Sequence, residues 1–151
     1  MKVSFFHSEI LLPTPIREIF QFFGNARNLE VITPPWLRFQ ILTQDPIVMR
    51  EGTLIDYRIR LRGIPLRWRS RIEVWDPPRR FVDIQIEGPY RLWRHEHLFD
   101  PWDQGTLCLD RVQYAVRGGP LVERLFVRRD VEKIFEFRRE KLLKLFPLSL
   151  L

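Results

Sequence analysis

Apolar and polar residues along this chain change places with a period of two in some stretches and about 3.6 in others, and the two periods divide it into sheet and helix. The alternation is clearest from Thr53 to Arg62, where Ile55, Tyr57, Ile59 and Leu61 oppose Asp56, Arg58, Arg60 and Arg62. Leu66 to Trp75 repeats it, with Leu66, Trp68, Ser70, Ile72 and Val74 opposite Arg67, Arg69, Arg71 and Glu73. Such strands belong to an antiparallel sheet with one covered face. Val3 to Leu11, Trp36 to Leu42, Phe81 to Glu87, Arg91 to Asp100 and Thr106 to Val116 read as further strands. In Phe81 to Glu87 the inward face is ambiguous: Val82, Ile84 and Ile86 oppose Phe81, Asp83 and Gln85, and either set could look into the protein.

Helical spacing takes over in three places. Leu12-Pro13-Thr14-Pro15 puts a capping threonine and a first-turn proline before Ile16, Ile19, Phe20 and Phe23. Asn25 to Val31 predicts a second short helix, ended by Thr33-Pro34-Pro35. Beyond the break Gly118-Gly119-Pro120, the stretch Leu121 to Phe146 lacks proline and glycine. There Leu125, Val131, Ile134, Phe135, Arg138, Leu142 and Leu145 trace one stripe of a helix about 38 Å long. The order predicts an α+β domain, seven antiparallel strands with two short helices after strand 1 and a long terminal helix across one face. Pro147 ends that helix, and the apolar stretch Leu142 to Leu151 is expected to pack on the protein or on a second copy, leaving monomer and homodimer both open.

The length of 151 residues predicts one domain, 1–151. A hydrophobic fraction of 45% with 29% charged residues is that of a folded protein rather than a disordered chain. No run approaches the roughly 20 apolar residues of a membrane span, and His7 and Glu9 interrupt what a signal peptide would need, so a cytoplasmic location is expected. The single cysteine, Cys108, excludes an internal disulfide framework. The net charge is +6, and all but four of the 25 basic residues are arginine. Arg58, Arg60, Arg62, Arg67, Arg69 and Arg71 share the polar faces of two neighbouring strands and would form a positive patch, softened by Asp56 and Glu73. That patch suits peripheral contact with an anionic membrane or an acidic partner; nucleic acid is not expected, because no exposed aromatic residues interleave with it on the same face as base stacking prefers.

The chemistry concentrates in Gly88-Pro89-Tyr90 and the strand after it, where Trp93, His95, His97 and Phe99 share a face. Thr106, Cys108, Asp110, Val112 and Tyr114 share a face of the next strand. A hairpin would gather imidazoles, large aromatics, a phenol and a carboxylate on one patch, the mixture a small-molecule cavity requires. A His-x-His pair on a strand can supply two metal ligands. Asp110, Asp83 and His7 are the candidates for a third, but the sequence does not identify one, so neither metal nor other cofactor is assigned. Phosphate-binding, zinc-protease and dinucleotide-binding motifs are absent.

Phe81, Asp83 and Gln85, then Gly88-Pro89-Tyr90, then Trp93, His95, His97 and Phe99, and later Asp110, Val112 and Tyr114 together resemble a tract of the START-like SRPBCC superfamily. Within it the chain is similar to the small bacterial branch of polyketide cyclase/dehydrase-type ligand-binding domains, over Val3 to about Phe146. The resemblance implies a helix-grip fold, a curved seven-stranded antiparallel sheet wrapped around the terminal helix with a hydrophobic tunnel between them. It also implies a hydrophobic small-molecule ligand: a lipid, quinone or polyketide. Tyr57, Trp68, Trp93, Phe99 and Tyr114 are the expected wall; Asp83, Gln85, His95, His97 and Asp110 are the expected polar contacts. A non-catalytic carrier is the leading expectation. The alternatives are a cofactor-independent cyclase or dehydratase with the histidines as acid and base, and an interaction module working through the arginine face.

Overall fold

The alternating segments form seven strands in the computed structural model, which describes residues 1–148. They are β1 (Ser4–Leu12), β2 (Gln40–Ile41), β3 (Leu54–Leu61), β4 (Ile64–Asp76), β5 (Arg80–Glu87), β6 (Leu92–Trp102) and β7 (Gly105–Ala115). All pairings are antiparallel, in the order β1-β7-β6-β5-β4-β3-β2. Two short helices follow β1, α1 (Ile16–Phe23) and α2 (Asn28–Val31). The chain then ends in α3 (Gly119–Val122), a π-helical turn (Glu123–Val127) and α4 (Arg128–Leu145). Helix α4 lies across the inner face of the sheet. Its Phe135 meets Phe6 of β1 at 4.8 Å and His95 of β6 at 5.4 Å, and its Asp130 reaches Arg62 beyond β3 at 3.0 Å. This is the expected helix-grip arrangement.

Two apolar clusters fill the space beneath. One is built on Leu12, Ile19, Phe20, Phe81, Phe99 and Leu142, so α1 seals that end of the sheet. The other holds Ile55, Tyr57, Ile59, Trp68, Tyr90, Tyr114, Val131 and Phe135. Between them, Phe81 and Asp83 turn inward to a cavity, which settles the face of β5. Val82 on the opposite face is also buried, hence the ambiguity of the pattern.

Several expectations need correcting. Trp36 to Leu42 is not a continuous strand: Pro35–Leu37 form a 3-10 turn ended by Arg38 at φ 45°, and only Gln40–Ile41 pair with β3. Pro34 and Pro35 have no amide hydrogen to give to a ladder. Thr14 does not cap α1. Pro15 occupies the cap position without a side-chain bond, and the Thr14 carbonyl instead accepts the Thr106 hydroxyl at 2.7 Å. In β4 a register shift after Ile72 brings Trp75 rather than Val74 inward, against Phe20 and Phe81, since a bulge adds one residue to the alternation. The β3–β4 turn is Arg62-Gly63, both at positive φ, and Ile64 already pairs with Leu61.

The terminal stripe also shifts. The π-helical turn inserts a residue, leaving Leu125 48% exposed and placing Glu123 inside, while Val131, Phe135, Arg138 and Leu142 keep the buried face. Leu145 is exposed as well. The helix stops two residues before Pro147; Ser149, Leu150 and Leu151 of the apolar end lie outside the described residues.

Candidate functional site

Adjacent strands bring four titratable side chains together at the centre of the sheet. Asp83 of β5 stands beside His95 of β6 in register, and His97 of β6 stands beside Asp110 of β7. The hydrogen bonds run diagonally: His97 Nε2 to Asp83 Oδ2 at 2.7 Å, and His95 Nε2 to Asp110 Oδ1 at 2.7 Å. Carboxylates only accept, so both Nε2 atoms carry the proton. The two imidazoles stack with centroids 3.7 Å apart, and Phe81 stacks on the outer face of His97 at 4.0 Å. From α4, Arg138 places Nη1 3.8 Å from Asp110 Oδ1 and its guanidinium over Phe135.

Burial and neighbours set the charges. Desolvation would raise both carboxyls, but bonding to the histidines and the field of Arg138 outweigh it, holding Asp83 below the usual carboxylate range and Asp110 at about 2. Burial, aided by His95, pushes His97 down to about 4 against the pull of the two aspartates. At neutral pH both carboxylates are therefore ionised and His97 is neutral. Among the described residues, His97 Nδ1 and Arg138 Nε and Nη1 are buried without a hydrogen-bond partner.

Asp83, His95, His97 and Arg138 form the polar corner of a cavity of about 160 Å³ between sheet and helix. Tyr57, Trp68 and Trp93 line it too, with Phe39, Ile59, Tyr90, Val131 and Phe135. The hydroxyl of Ser70 receives the Trp68 indole N–H at 3.0 Å and sits 2.7 Å from the Tyr57 hydroxyl. These two aromatics thus turn mostly hydrocarbon toward the cavity, with their polar atoms bonded at the wall.

Six of the ten residues picked from sequence, Tyr57, Trp68, Asp83, Trp93, His95 and His97, line one space. Four do not. Gln85 folds under the Gly88-Pro89-Tyr90 turn, donating to the Tyr90 carbonyl at 2.8 Å and accepting the Tyr90 amide at 3.0 Å. A Cβ on Gly88 would fall 2.5 Å from the Gln85 oxygen, so the missing side chain makes room for it. Phe99 is packed among Phe20, Phe23 and Phe81 in the sealed end. Tyr114 gives its hydroxyl to buried Glu123 at 2.8 Å, a use created by the π-helical turn. Asp110 stands behind His95 rather than on the cavity wall. Arg138, which is not among the ten, also lines the cavity; its interruption of an otherwise apolar helical stripe is the signal the sequence offers for it.

His7 lies exposed on the outer face, opposite Arg111, and cannot join the cluster. The arginine patch is interrupted: Arg69 pairs with Asp56 at 2.7 Å and Arg62 with Asp130, while Arg58 and Arg67 stand opposite each other. No helix among the described residues is long and apolar enough to cross a membrane.

A curved antiparallel sheet closed by one helix over a cavity defines the SRPBCC helix-grip class. Residues 12–139 match the family described as polyketide cyclase / dehydrase and lipid transport, and the chain belongs to it. Solved structures share the fold at low identity. The Zhui aromatase/cyclase from Streptomyces sp. R1128 is 16% identical with a TM-score of 0.74, over 95% of this chain and 93% of that one. Protein CV1439 from Chromobacterium violaceum is 12% identical with a TM-score of 0.75, over 96% and 98%. The major latex-like protein 151 of Panax ginseng is 8% identical with a TM-score of 0.68, over 97% and 99%. No curated protein matches the sequence significantly.

Proposed function

We propose that the protein binds or carries a hydrophobic small molecule, lipid, quinone or polyketide-like, in the cavity between sheet and α4, with the ligand's polar end at Asp83, His95, His97 and Arg138. The observation that carries this reading is the make-up of the walls: mostly apolar and aromatic, with the charged and imidazole side chains Asp83, His95, His97 and Arg138 among them. A dry engineered cavity of about 150 Å³ takes a benzene-sized molecule. One ring system or a short acyl segment therefore fits without moving the walls, and longer ligands would emerge between helix and sheet. Arg138, buried with unpartnered donors, would offer hydrogen bonds to a ligand oxygen.

Native mass spectrometry of the purified protein, with organic extraction of the same sample, tests this. A stoichiometric hydrophobic adduct supports it; a clean apo mass that stays unchanged after incubation with fatty acids, quinones and aromatic polyketides refutes it. Trp68→Ala removes roughly 80 Å² of ligand contact, about 2 kcal/mol or 30-fold in Kd. Equal loss of binding and of folding would instead make Trp68 a core residue.

A second reading, a cofactor-independent cyclase or dehydratase, is favoured by the two imidazole–carboxylate pairs in the wall, an arrangement able to hold and move a proton. Tyr114 has no part in it, because its hydroxyl is committed to Glu123. Normal turnover by a His95→Ala/His97→Ala protein would end that reading.

A further inference from the structure

We propose that Asp83, His95 and His97 form a site for one divalent transition-metal ion at the polar corner of the cavity, with Asp110 orienting the histidines from behind. The sequence offered two ligands without a third; the fold supplies it. A ligand atom from each of the three residues lies within 4.8 Å of the others. Asp83 Oδ2 is 2.7 Å from His97 Nε2 and 4.0 Å from His95 Nδ1. Donors bonded to one ion at about 2.1 Å stand roughly 3.0 to 3.4 Å apart, a spacing these distances bracket. An imidazole nitrogen binds a metal in its own ring plane, so the two rings, now stacked with centroids 3.7 Å apart and planes inclined by 25°, would turn apart until both planes meet at the ion.

The opposite edges of both rings face Asp110. His95 already donates Nε2–H to it at 2.7 Å, and His97 Nδ1, buried and unpartnered, is 3.7 Å from the same oxygen. With His97 Nε2 on a metal, its proton moves to Nδ1 and points at Asp110. The orphaned nitrogen becomes a donor with a partner, and both ligands acquire the carboxylate support that metal-bound histidines ordinarily have. A bound metal would thus give a partner to His97 Nδ1, one of the three buried atoms without one among the described residues.

Charge argues the same way. Two carboxylates, Asp83 and Asp110, share one neighbouring guanidinium, Arg138, 3.8 Å from Asp110, so a single fixed cation answers two acidic groups. The donor set is two nitrogens and one oxygen without sulfur, which suits zinc, ferrous iron and their neighbours and disfavours calcium or magnesium. Asp83, His95 and His97 all line the cavity while Asp110 does not, so the remaining coordination positions of the ion open toward a ligand.

The test uses the full chain stripped with EDTA and titrated with Zn²⁺ and Co²⁺ alone, with no organic ligand present. Calorimetry should give one ion per chain. Zn²⁺ affinity should fall at least about 100-fold in His97→Gln and in Asp83→Asn, and roughly 10- to 100-fold in Asp110→Asn. His7→Ala, on the outer face, should be unchanged. On the wild-type protein, NMR with Co²⁺ should shift the resonances of two of the three histidines, a readout independent of how the variants fold. Absence of stoichiometric binding, affinity in His97→Gln within threefold of wild type, or loss on His7→Ala each overturns the proposal. Native mass spectrometry reads the organic ligand separately, so either reading can fail without the other.

Discussion

Strand β6 carries two kinds of charge on its two faces. Arg94 and Glu96 point outward, where Arg94 meets Glu73 at 3.2 Å and Glu96 meets Arg80 at 2.6 Å. His95 and His97, alternating with them, point inward and hold Asp83 and Asp110 at 2.7 Å. The distances are alike, but the surroundings are not. In the Arg94–Glu73 pair the side chains are 30% and 37% exposed, and little is lost when it breaks, because water and salt replace the partner. The inner cluster sits under α4, where a group stripped of its partner has no water to turn to. Close contacts therefore do not measure importance; the cost of losing one does.

The largest expected effect comes from breaking the inner cluster. Asp110→Ala should lower the unfolding free energy by about 3 kcal/mol or more, read from urea midpoints, because His95 loses its acceptor and Arg138 its nearest carboxylate. A loss no greater than that of Glu73→Ala would erase the contrast.

Acid should act on the inner face next, in EDTA-treated protein. His97 has a folded pKa of about 4, below its usual 6.5. The unfolded chain therefore takes up the proton first, and stability declines as pH falls from about 6.5 through 4. Asp110, at about 2 rather than 3.8, contributes stability present above pH 3.8 and lost as pH falls toward 2. Urea midpoints followed from pH 7.5 to 3 should show the upper decline, and His97→Gln should flatten it. A flat wild-type profile above pH 4.5 would mean that His97 is not held neutral by the fold.

A moderate effect is expected at Gln85, an inner-face polar residue away from the cavity. Gln85→Ala should cost about 1 to 2 kcal/mol through its two lost hydrogen bonds, with ligand and Zn²⁺ binding unchanged. Loss of binding without loss of stability would return Gln85 to the site. Smallest is the outer face: Arg94→Ala and Arg69→Ala should each change stability by no more than about 1 kcal/mol, and 1 M NaCl should abolish the difference from wild type.

The site was half legible before the fold. Alternation in β6 placed His95 and His97 on one face, and the pattern of β3 and β4 put Tyr57 and Trp68 inside; both follow from strand geometry alone. The uses of Gln85, Phe99 and Tyr114 were hidden because face does not specify neighbour. Gln85 was taken by a turn three residues on, Phe99 by the helix that seals one end, and Tyr114 by a glutamate that only a π-helical turn brings inward. Trp75 was hidden by a bulge, which reverses faces without a mark in the pattern.

The sequence by itself determined the class of fold, the order of its elements and which side of most strands is covered. These depend on the period of apolar residues and on turn-forming prolines and glycines, all short-range properties of the chain. Only the tertiary structure decided that Asp83 and Asp110, far apart along the chain, flank one pair of imidazoles, and that Arg138 completes the cluster. Strand register and the placement of α4 are long-range agreements among packed side chains. A buried charge is defined by its partners, so its chemistry is settled only when the fold brings them together.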